Sequence, residues 1–197
     1  MNITIYCGNN TGVDPEFVKR AVELGHWMGN NGHGLVFGGG NSGMMGAVSR
    51  AVTEAGGKTT GVSPSFFINK GEVRDDLTEL IVTEHMWDRR KTMIELGDAY
   101  IALPGGTGTA DEITEVMALK RLGLLGRANK PVMIYNVNGY YDKFFEFLDD
   151  MTREGFCRPE DRANAIEVKC IEDVARALES AGTEDATRNT LYDEHID

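Results

Sequence analysis

The chain of 197 residues, 41% of them hydrophobic, is long enough for a single domain with an ordinary hydrophobic core. Its net charge of −11 argues against a nucleic-acid polymer as partner, because proteins that bind such polymers usually carry a basic face. The three cysteines form no C-x-x-C pair, and no segment approaches the ~18 consecutive apolar residues of a membrane span.

Cysteine and histidine usage leads to two further expectations. The odd number of cysteines, with no secretory leader recognised, predicts a reducing cytoplasmic location. None of the four histidines lies in an H-E-x-x-H pattern or beside cysteines at zinc-ligand spacing, so we expect no metal site. An acidic protein can still bind one phosphate group where a few cations are placed locally.

Short runs of apolar and β-forming residues predict the strands, and the segments between them carry apolar residues at helical spacing. The predicted strands span residues 2–6, 34–37, 58–62, 80–82, 99–103, 130–135 and 165–168. The first predicted helix opens at Asp14-Pro15, and the others contain residues 47–55, 86–96, 113–119, 140–151 and 171–178. Residues 65–76 are predicted to form a loop that folds over the site.

This alternation predicts an α/β fold, a mostly parallel sheet of about seven strands with helices on both faces. We expect one domain over residues 1–181, followed by a solvated acidic C-terminal tail over residues 182–197. Right-handed crossovers place the loops that follow the strands at one edge of the sheet, where open α/β sheets bind their ligands.

A first glycine loop, residues 38–43, reads Gly-Gly-Gly-Asn-Ser-Gly and matches the G-x-G-x-x-G pattern of dinucleotide-binding proteins. A dinucleotide site is nevertheless disfavoured, because the loop follows the second strand and not the first. The next strand also ends in Val62-Ser63-Pro64, without the acidic residue expected ~20 positions after the pattern. A P-loop is excluded, because neither glycine loop of the chain ends in Gly-Lys-Ser/Thr.

A second glycine loop, residues 104–109, reads Pro-Gly-Gly-Thr-Gly-Thr between a strand and a helix. Amides at the start of a helix lack acceptors and lie at the positive end of the helix dipole, so a phosphate group fits there. The alternative is that the glycines serve only tight turns and close helix packing. Two such loops on one edge of a sheet favour a small phosphorylated ligand.

The charged residues near the second loop have two interpretations each. Thr109 and Glu112 have the spacing of a capping box, in which both side chains bond to amides at the helix start. Glu112 is alternatively a catalytic carboxylate. Arg89, Arg90 and Lys91 form either a solvated helix face or a cluster of cations for an anion. Spacing alone favours the capping box for Glu112 and the solvated helix face for the three cations.

Three stretches, taken together, favour the functional interpretation of these residues. They are Gly-Gly-Gly-x-x-Gly-x-Met-Gly at 38–46, Arg89 ahead of Met93, and Pro-Gly-Gly-x-Gly-Thr-x-x-Glu at 104–112. They resemble the LOG ("lonely guy") family of cytokinin riboside 5′-monophosphate phosphoribohydrolases, which are often mislabelled as lysine decarboxylases. The similarity covers about residues 3–162. It implies a Rossmann-like fold, a homodimer or larger assembly, and no cofactor. The implied reaction splits the N-glycosidic bond of a nucleoside monophosphate into free base and ribose 5-phosphate.

The resemblance also implies the site residues, with Arg89 and Glu112 as the catalytic pair. The implied substrate-binding residues are Gly8, Gly40, Gly43, Met45, Gly46, Arg90, Pro104, Gly105, Gly106, Thr107, Gly108 and Thr109. Breaking the bond between ribose and base builds positive charge on the sugar, which the carboxylate of Glu112 would stabilise while it orients or deprotonates the attacking water. The guanidinium of Arg89 would hold phosphate or ribose oxygens.

The chain departs from the family pattern at a few positions. Trp87 and Arg90 stand where the family usually has histidine and lysine, Asn9 stands where serine is common, and Asp111 replaces a frequent glutamate. These departures leave the chemistry intact and concern the pocket for the base.

Two other functions were weighed against hydrolysis. A non-catalytic carrier or sensor of a nucleotide-like ligand, such as the molybdenum-cofactor carriers, resembles this fold and its glycine loops. Such a binding module has no need of the pair formed by Arg89 and Glu112. Lysine decarboxylation is disfavoured, because nothing in the sequence identifies a lysine for a Schiff base with pyridoxal phosphate.

Overall fold

The computed structural model describes residues 1–126 and 129–181, so the predicted acidic tail lies outside the described residues. The strands are β1 (Asn2–Tyr6), β2 (Gly34–Phe37), β3 (Thr59–Pro64), β4 (Glu79–Thr83), β5 (Ala99–Ala102), β6 (Val132–Tyr135) and β7 (Ala165–Val168). The helices are α1 (Pro15–Asn30), α2 (Gly43–Glu54), α3 (Ser65–Asn69), α4 (Met86–Leu96), α5 (Thr107–Arg121), α6 (Asp142–Arg153), α7 (Pro159–Arg162) and α8 (171–181). A short 3₁₀ turn, Val137–Gly139, connects β6 to α6.

The seven strands form one parallel sheet in the order β4-β3-β2-β1-β5-β6-β7, which confirms the predicted α/β class. The chain starts in the middle at β1, runs outward to β4, and returns to β5 on the other side of β1. The connections after β1 and β5 therefore lead toward opposite halves of the sheet. A crevice forms at such a reversal, and it is the place where sheets of this kind bind ligands.

Alternation along the strands divides the core into two layers. In β1, Ile3 and Ile5 pack with residues of α1, α2 and α8, whereas Tyr6 packs on the opposite face with residues of α4, α5 and α6. The continuous apolar run of β5 contributes to both layers, because successive side chains of a strand point to opposite faces. Within residues 1–126 and 129–181, none of the helices combines the length and the apolar character needed to cross a membrane.

Three local features differ from the predicted elements. α2 begins at Gly43, earlier than predicted, so the end of the first glycine loop forms the first turn of a helix. α5 likewise begins inside the second glycine loop, at Thr107. Residues 65–69 form the short helix α3 in place of a loop, because five residues are too few to show helical periodicity in a sequence.

The segment that follows α3 is tethered to the first glycine loop by Arg74. The backbone amide of Arg74 donates to the carbonyl of Gly39 at 3.0 Å. The side chain of Arg74 is only 3% exposed, and its guanidinium donates to both carboxylate oxygens of Asp76 and, at 2.9 Å, to the hydroxyl of Ser49 on α2. These bonds hold the predicted covering segment beside the carboxyl edge of the sheet.

Candidate active site

Arg89 and Glu112 form a buried ion pair at the carboxyl edge of the sheet. Arg89 lies in the first turn of α4, and Glu112 lies in the second turn of α5. Arg89 Nη1 donates to Glu112 Oε1 at 2.8 Å, and Arg89 Nε donates to the carbonyl of Val62 in β3 at 3.1 Å. The two side chains are 11% and 9% exposed. The two residues predicted to be catalytic are therefore in direct contact.

Gly38, at the end of β2, makes room for this arginine. A Cβ atom at position 38 would lie 2.0 Å from Arg89 Nη2, which is far inside van der Waals contact. Any other residue would displace the guanidinium group. The first glycine loop thus helps to determine where the arginine side chain lies.

The surroundings of Glu112 shift the pKa of its carboxyl group in two opposing directions. Burial raises the pKa of Glu112 above the ordinary carboxyl value, whereas the charge and hydrogen bond of Arg89 lower it; burial is the larger effect. Among the described residues, only Oε1 of this carboxylate accepts a hydrogen bond, which leaves Oε2 available to a ligand. Burial also raises the pKa of the nearby Cys7 thiol well above its usual range, so that thiol stays neutral.

The capping-box interpretation of Thr109 and Glu112 is wrong. α5 starts at Thr107 with Gly106 as its N-cap, so both Thr109 and Glu112 lie inside the helix. The carboxylate of Glu112 accepts its hydrogen bond from Arg89 and not from a backbone amide at the start of α5. The spacing misled because the glycine loop, and not Thr109, sets the first residue of the helix.

The start of α5 leaves backbone amides without acceptors. Gly106 has no side chain to cap the helix, and no side chain from the described part of the protein replaces one. The first amides of a helix have no intrahelical acceptor and lie at the positive end of its dipole. A Cβ atom at Gly106 or Gly108 would meet no described atom within 4 Å, so both glycines border open space. This geometry suits an anion.

A cavity of about 540 Å³ adjoins both the ion pair and the helix start. Most of the predicted site residues lie on its wall: Gly8, Met45, Arg89, Arg90, Pro104, Gly105, Gly106, Thr107, Gly108, Thr109 and Glu112. Gly8, after β1, and Pro104, after β5, are joined by a hydrogen bond of 3.1 Å from the amide of Gly8 to the carbonyl of Pro104. The cavity therefore sits at the reversal of strand order.

Three predicted binding residues, Gly40, Gly43 and Gly46, do not line this cavity. At Gly43, where φ is +60°, a Cβ atom would lie 2.2 Å from the carbonyl oxygen of Asn9, and at Gly46 one would lie 2.1 Å from that of Asn41. These glycines allow α2 to approach the neighbouring loops closely. A direct contact of the three glycines with a ligand stays a prediction.

Arg90 is held at the cavity by two carboxylates of α5. Its Nη1 lies 2.9 Å from Asp111 Oδ2, and its Nε lies 2.9 Å from Glu115 Oε2, although the second contact lacks hydrogen-bond geometry. The arginine side chain is 29% exposed, so the cation reaches the ligand space. Across the described ranges, no group of three or more His, Cys, Asp or Glu side chains is placed to hold a metal ion.

Two departures from the family pattern that were expected to concern the base pocket, Asn9 and Asp111, do line the cavity. The structure adds further lining residues that were not among the predicted site residues: Cys7, Asn10, Thr11, Gly12, Phe17, Phe67, Met86 and Tyr140. Met86 directly precedes Trp87, where the chain departs from the family pattern, and Phe67 lies in the segment 65–76 that was predicted to fold over the site, so the sequence held a signal for both. Phe17 gave no such signal, because it reads as an ordinary apolar position of a helix, and Tyr140 lies outside the three stretches that carry the resemblance.

Trp87, one of the departures from the family pattern, lies outside the cavity lining. It is 62% exposed, and its ring lies 4.2 Å from that of His85, measured between centroids. In the single protomer this departure affects the outer surface and not the cavity.

Comparisons with known sequences agree on one family. A family model described as "possible lysine decarboxylase" matches residues 45–179. A cytokinin riboside 5′-monophosphate phosphoribohydrolase from Rhodococcoides fascians is 37% identical over 180 residues, which cover 91% of this chain and 89% of that protein. One from Arabidopsis thaliana is 34% identical over 194 residues, which cover 98% of this chain and 88% of the relative.

Solved structures share the fold at lower sequence identity. A molybdenum cofactor binding protein from Rippkaea orientalis has a TM-score of 0.69 and 24% identity, with 91% of this chain and 95% of that chain covered. The molybdenum cofactor carrier protein of Chlamydomonas reinhardtii has a TM-score of 0.68 and 22% identity, with 92% and 98% covered. At such identities the likeness shows the fold alone. The sequence relatives and the family model span most of the chain at higher identity, and on that evidence the chain belongs to the LOG family, whose curated members are named cytokinin riboside 5′-monophosphate phosphoribohydrolases.

Proposed function

We propose that the protein hydrolyses the N-glycosidic bond of a nucleoside 5′-monophosphate to a free base and ribose 5-phosphate. The observation that carries this proposal is the buried pair of Arg89 and Glu112 on the wall of a cavity, beside a helix start whose amides lack acceptors. The cavity volume of about 540 Å³ lies within the ~300–1,000 Å³ typical of small-molecule sites.

In this proposal the 5′-phosphate binds at the start of α5. Gly106 and Gly108 leave room for its oxygens, the free amides donate hydrogen bonds, and the phosphate competes with Asp111 and Glu115 for the guanidinium of Arg90. These local groups attract the anion although the chain as a whole carries a net charge of −11.

Glu112 then acts on the sugar. Positive charge develops on the ribose as the bond to the base breaks, and a carboxylate held close to the ring stabilises that charge. The bond between the anomeric carbon and the base breaks with its electron pair leaving on the base, while the oxygen of the attacking water, oriented by Oε2 of Glu112, forms the new bond to that carbon. The proton that the water loses by way of Oε2 balances the proton that the departing base takes up from solvent. Arg89 orients this carboxylate. Its Nε donates to the carbonyl of Val62, which holds the guanidinium in place, and its Nη1 donates to Oε1 of Glu112. The net reaction consumes one water.

The base would occupy the apolar part of the cavity. Met45, Phe67 and Met86 supply thioether and aromatic surface, and Phe17 and Tyr140 add further rings to the wall. Such groups contact the flat face of a purine or pyrimidine and accept an isoprenoid substituent on it. Comparing substrates with and without that substituent identifies the preferred base.

Two rival functions have less support. The carrier reading rests on likeness of fold to molybdenum-cofactor proteins. Lysine decarboxylation needs a lysine that forms a Schiff base with pyridoxal phosphate, and no lysine lies on the wall of the cavity among the described residues.

Glu112→Gln tests the proposed reaction. Glutamine keeps an acceptor oxygen for Arg89 but carries no charge, so the fold should persist while the transition state loses its carboxylate. We expect base release from AMP, isopentenyladenosine 5′-monophosphate or CMP to fall by roughly 10²- to 10⁴-fold, measured by chromatography. Glu95→Gln makes the same chemical change on the exposed side of α4, outside the cavity, and should leave the rate unaltered.

Equal base release by wild type and Glu112→Gln would contradict the role of Glu112. If the wild type released no base from any of the three nucleotides yet bound them in calorimetry, the carrier or sensor reading would replace hydrolysis. A homodimer, a cytoplasmic location and a single domain over residues 1–181 stay predictions, and light scattering would check the first of them.

A further inference from the structure

Tyr140 makes a hydrogen bond that joins two distant parts of the site. Its hydroxyl donates to the carbonyl of Gly105 at 2.6 Å, across 35 positions of sequence. The ring lies on the cavity wall and packs edge-on against Phe17, with centroids 5.4 Å apart. Its backbone amide donates to the carbonyl of Val137 at 3.0 Å, which fixes the turn that presents it.

The turn before Tyr140 is specified by its own sequence. Asn138 has a φ of +50° and Gly139 a φ of +75°, a left-handed conformation that asparagine and glycine adopt most readily. The Asn138 side chain donates to Asp14 Oδ2 at 2.9 Å, which ties the turn to the start of α1. Tyr140 is 45% exposed, but the turn that carries it is anchored to α1 and its hydroxyl is bonded to Gly105.

The bond acts on a peptide that would otherwise rotate easily. The carbonyl of Gly105 and the amide of Gly106 belong to one planar peptide unit and point in opposite directions, so fixing the carbonyl also fixes the amide. Glycine on both sides of this peptide permits a flip at little conformational cost. The peptide stands immediately before α5, where the proposed phosphate site lies.

We propose that Tyr140 is a positioning residue for phosphate binding: its hydroxyl holds the Gly105–Gly106 peptide so that the amides at the start of α5 remain directed at the anion. This inference rests on the proposed function in placing the 5′-phosphate there. Tyr140 takes no part in breaking the N-glycosidic bond, so its loss weakens binding and leaves the chemical step intact.

Tyr141 offers a matched control. Its hydroxyl donates to the carbonyl of Leu103 at 2.8 Å, on the same connection between β5 and α5, but Tyr141 is buried and does not line the cavity. Tyr140→Phe and Tyr141→Phe each remove one hydroxyl that donates to one backbone carbonyl. A general loss of stability would appear in both variants, whereas an effect on the phosphate site should appear only in the first.

Titration calorimetry with ribose 5-phosphate and with adenosine measures the effect directly. For Tyr140→Phe we expect the dissociation constant for ribose 5-phosphate to rise by about three- to tenfold, the size of one ordinary hydrogen bond, and that for adenosine to stay unchanged. In turnover of AMP, KM should rise by a similar factor with kcat changed by less than about twofold. Tyr141→Phe should change neither affinity.

Several results would overturn the inference. An equal loss of adenosine affinity would show that the hydroxyl of Tyr140 serves the base or the sugar and not the phosphate site alone. A fall in kcat with KM unchanged would give it a role in the chemical step, and equal effects of both variants would reduce it to a stabilising residue. If the wild type bound ribose 5-phosphate but released no base, hydrolysis would fail while the calorimetric comparison still decided the role of Tyr140. If the wild type released base from a nucleotide but did not bind ribose 5-phosphate, the role of Tyr140 in phosphate binding would fail while hydrolysis would stand.

Discussion

Glu112 combines burial with a single charged partner, and burial has the larger effect on its acidity. A carboxyl group whose pKa is raised in the folded protein takes up a proton on folding at intermediate pH. The stability contributed by this group is therefore fully present below the ordinary carboxyl pKa and is lost as pH rises through the raised value. Ionised Glu112 therefore lowers the stability of the fold relative to protonated Glu112, but only the ionised carboxylate can stabilise a cationic sugar.

The same shift predicts the pH dependence of the proposed reaction. Because the reaction needs ionised Glu112, kcat/KM should fall on the acidic side with a midpoint above 4.5, the ordinary glutamate pKa. Base release from AMP, followed from about pH 4 to about pH 8, measures that midpoint. Circular dichroism over the same range separates it from unfolding. A midpoint at or below the ordinary value in a folded protein would contradict the assignment.

Among the single elements, the glycines of the two loops have different structural roles: those of one loop border open space, and those of the other allow close packing. Gly106 and Gly108, at the start of α5, face open space, which is what a ligand needs. Gly38 and Gly43 face atoms of the protein itself, the first against Arg89 and the second against the backbone of Asn9. Similar glycine patterns thus serve an anion site in one loop and close packing in the other.

Gly43→Ala should destabilise the protein much more than Gly56→Ala. Both positions have positive φ, +60° and +77°, so both variants incur about 1 kcal/mol of backbone strain. Only at Gly43 would the new methyl group also lie 2.2 Å from a backbone oxygen, whereas at Gly56 it would meet no described atom within 4 Å. We expect a total of about 3 kcal/mol or more for Gly43→Ala, measured by urea unfolding. Equal losses would contradict the packing role.

At the scale of the whole molecule, strand order decides both where the site lies and which part of the sheet is best protected. β1 is paired on both sides, with β2 and β5, and carries side chains that are almost fully buried. β4 is an edge strand whose residues are mostly exposed, among them Leu80 and Val82. The cavity therefore lies at the end of strands that are paired on both sides and almost fully buried.

Hydrogen exchange should follow this arrangement. Amides of β1 and β5 should exchange only through global unfolding, while those of β4 exchange through local opening and hence much faster. Mass spectrometry of peptic fragments over time measures the difference, and urea at low concentration should accelerate exchange at β1 more than at β4. If β4 were protected as strongly as β1, its edge would be covered by another surface, and the prediction would fail.

Much of this arrangement followed from local sequence signals. Short apolar runs predict the strands, and the two glycine loops after β2 and β5 predict the place of the cavity, because parallel strands bring such loops to one edge of the sheet. Arg89 and Glu112 were singled out by resemblance to a family, and the loop at 104–109 by its glycines at a helix start. These signals are local, so the sequence displays them directly.

Local sequence signals were therefore sufficient to predict the fold class, the edge of the sheet that holds the site, and the residue types available there. Three contacts required the folded structure: Glu112 bonds to Arg89 instead of capping a helix, Gly43 packs against the backbone of Asn9 instead of lining the cavity, and Tyr140 reaches Gly105. The physical reason is that these contacts join segments far apart in the chain. Their geometry depends on how the elements pack, and no local spacing records that.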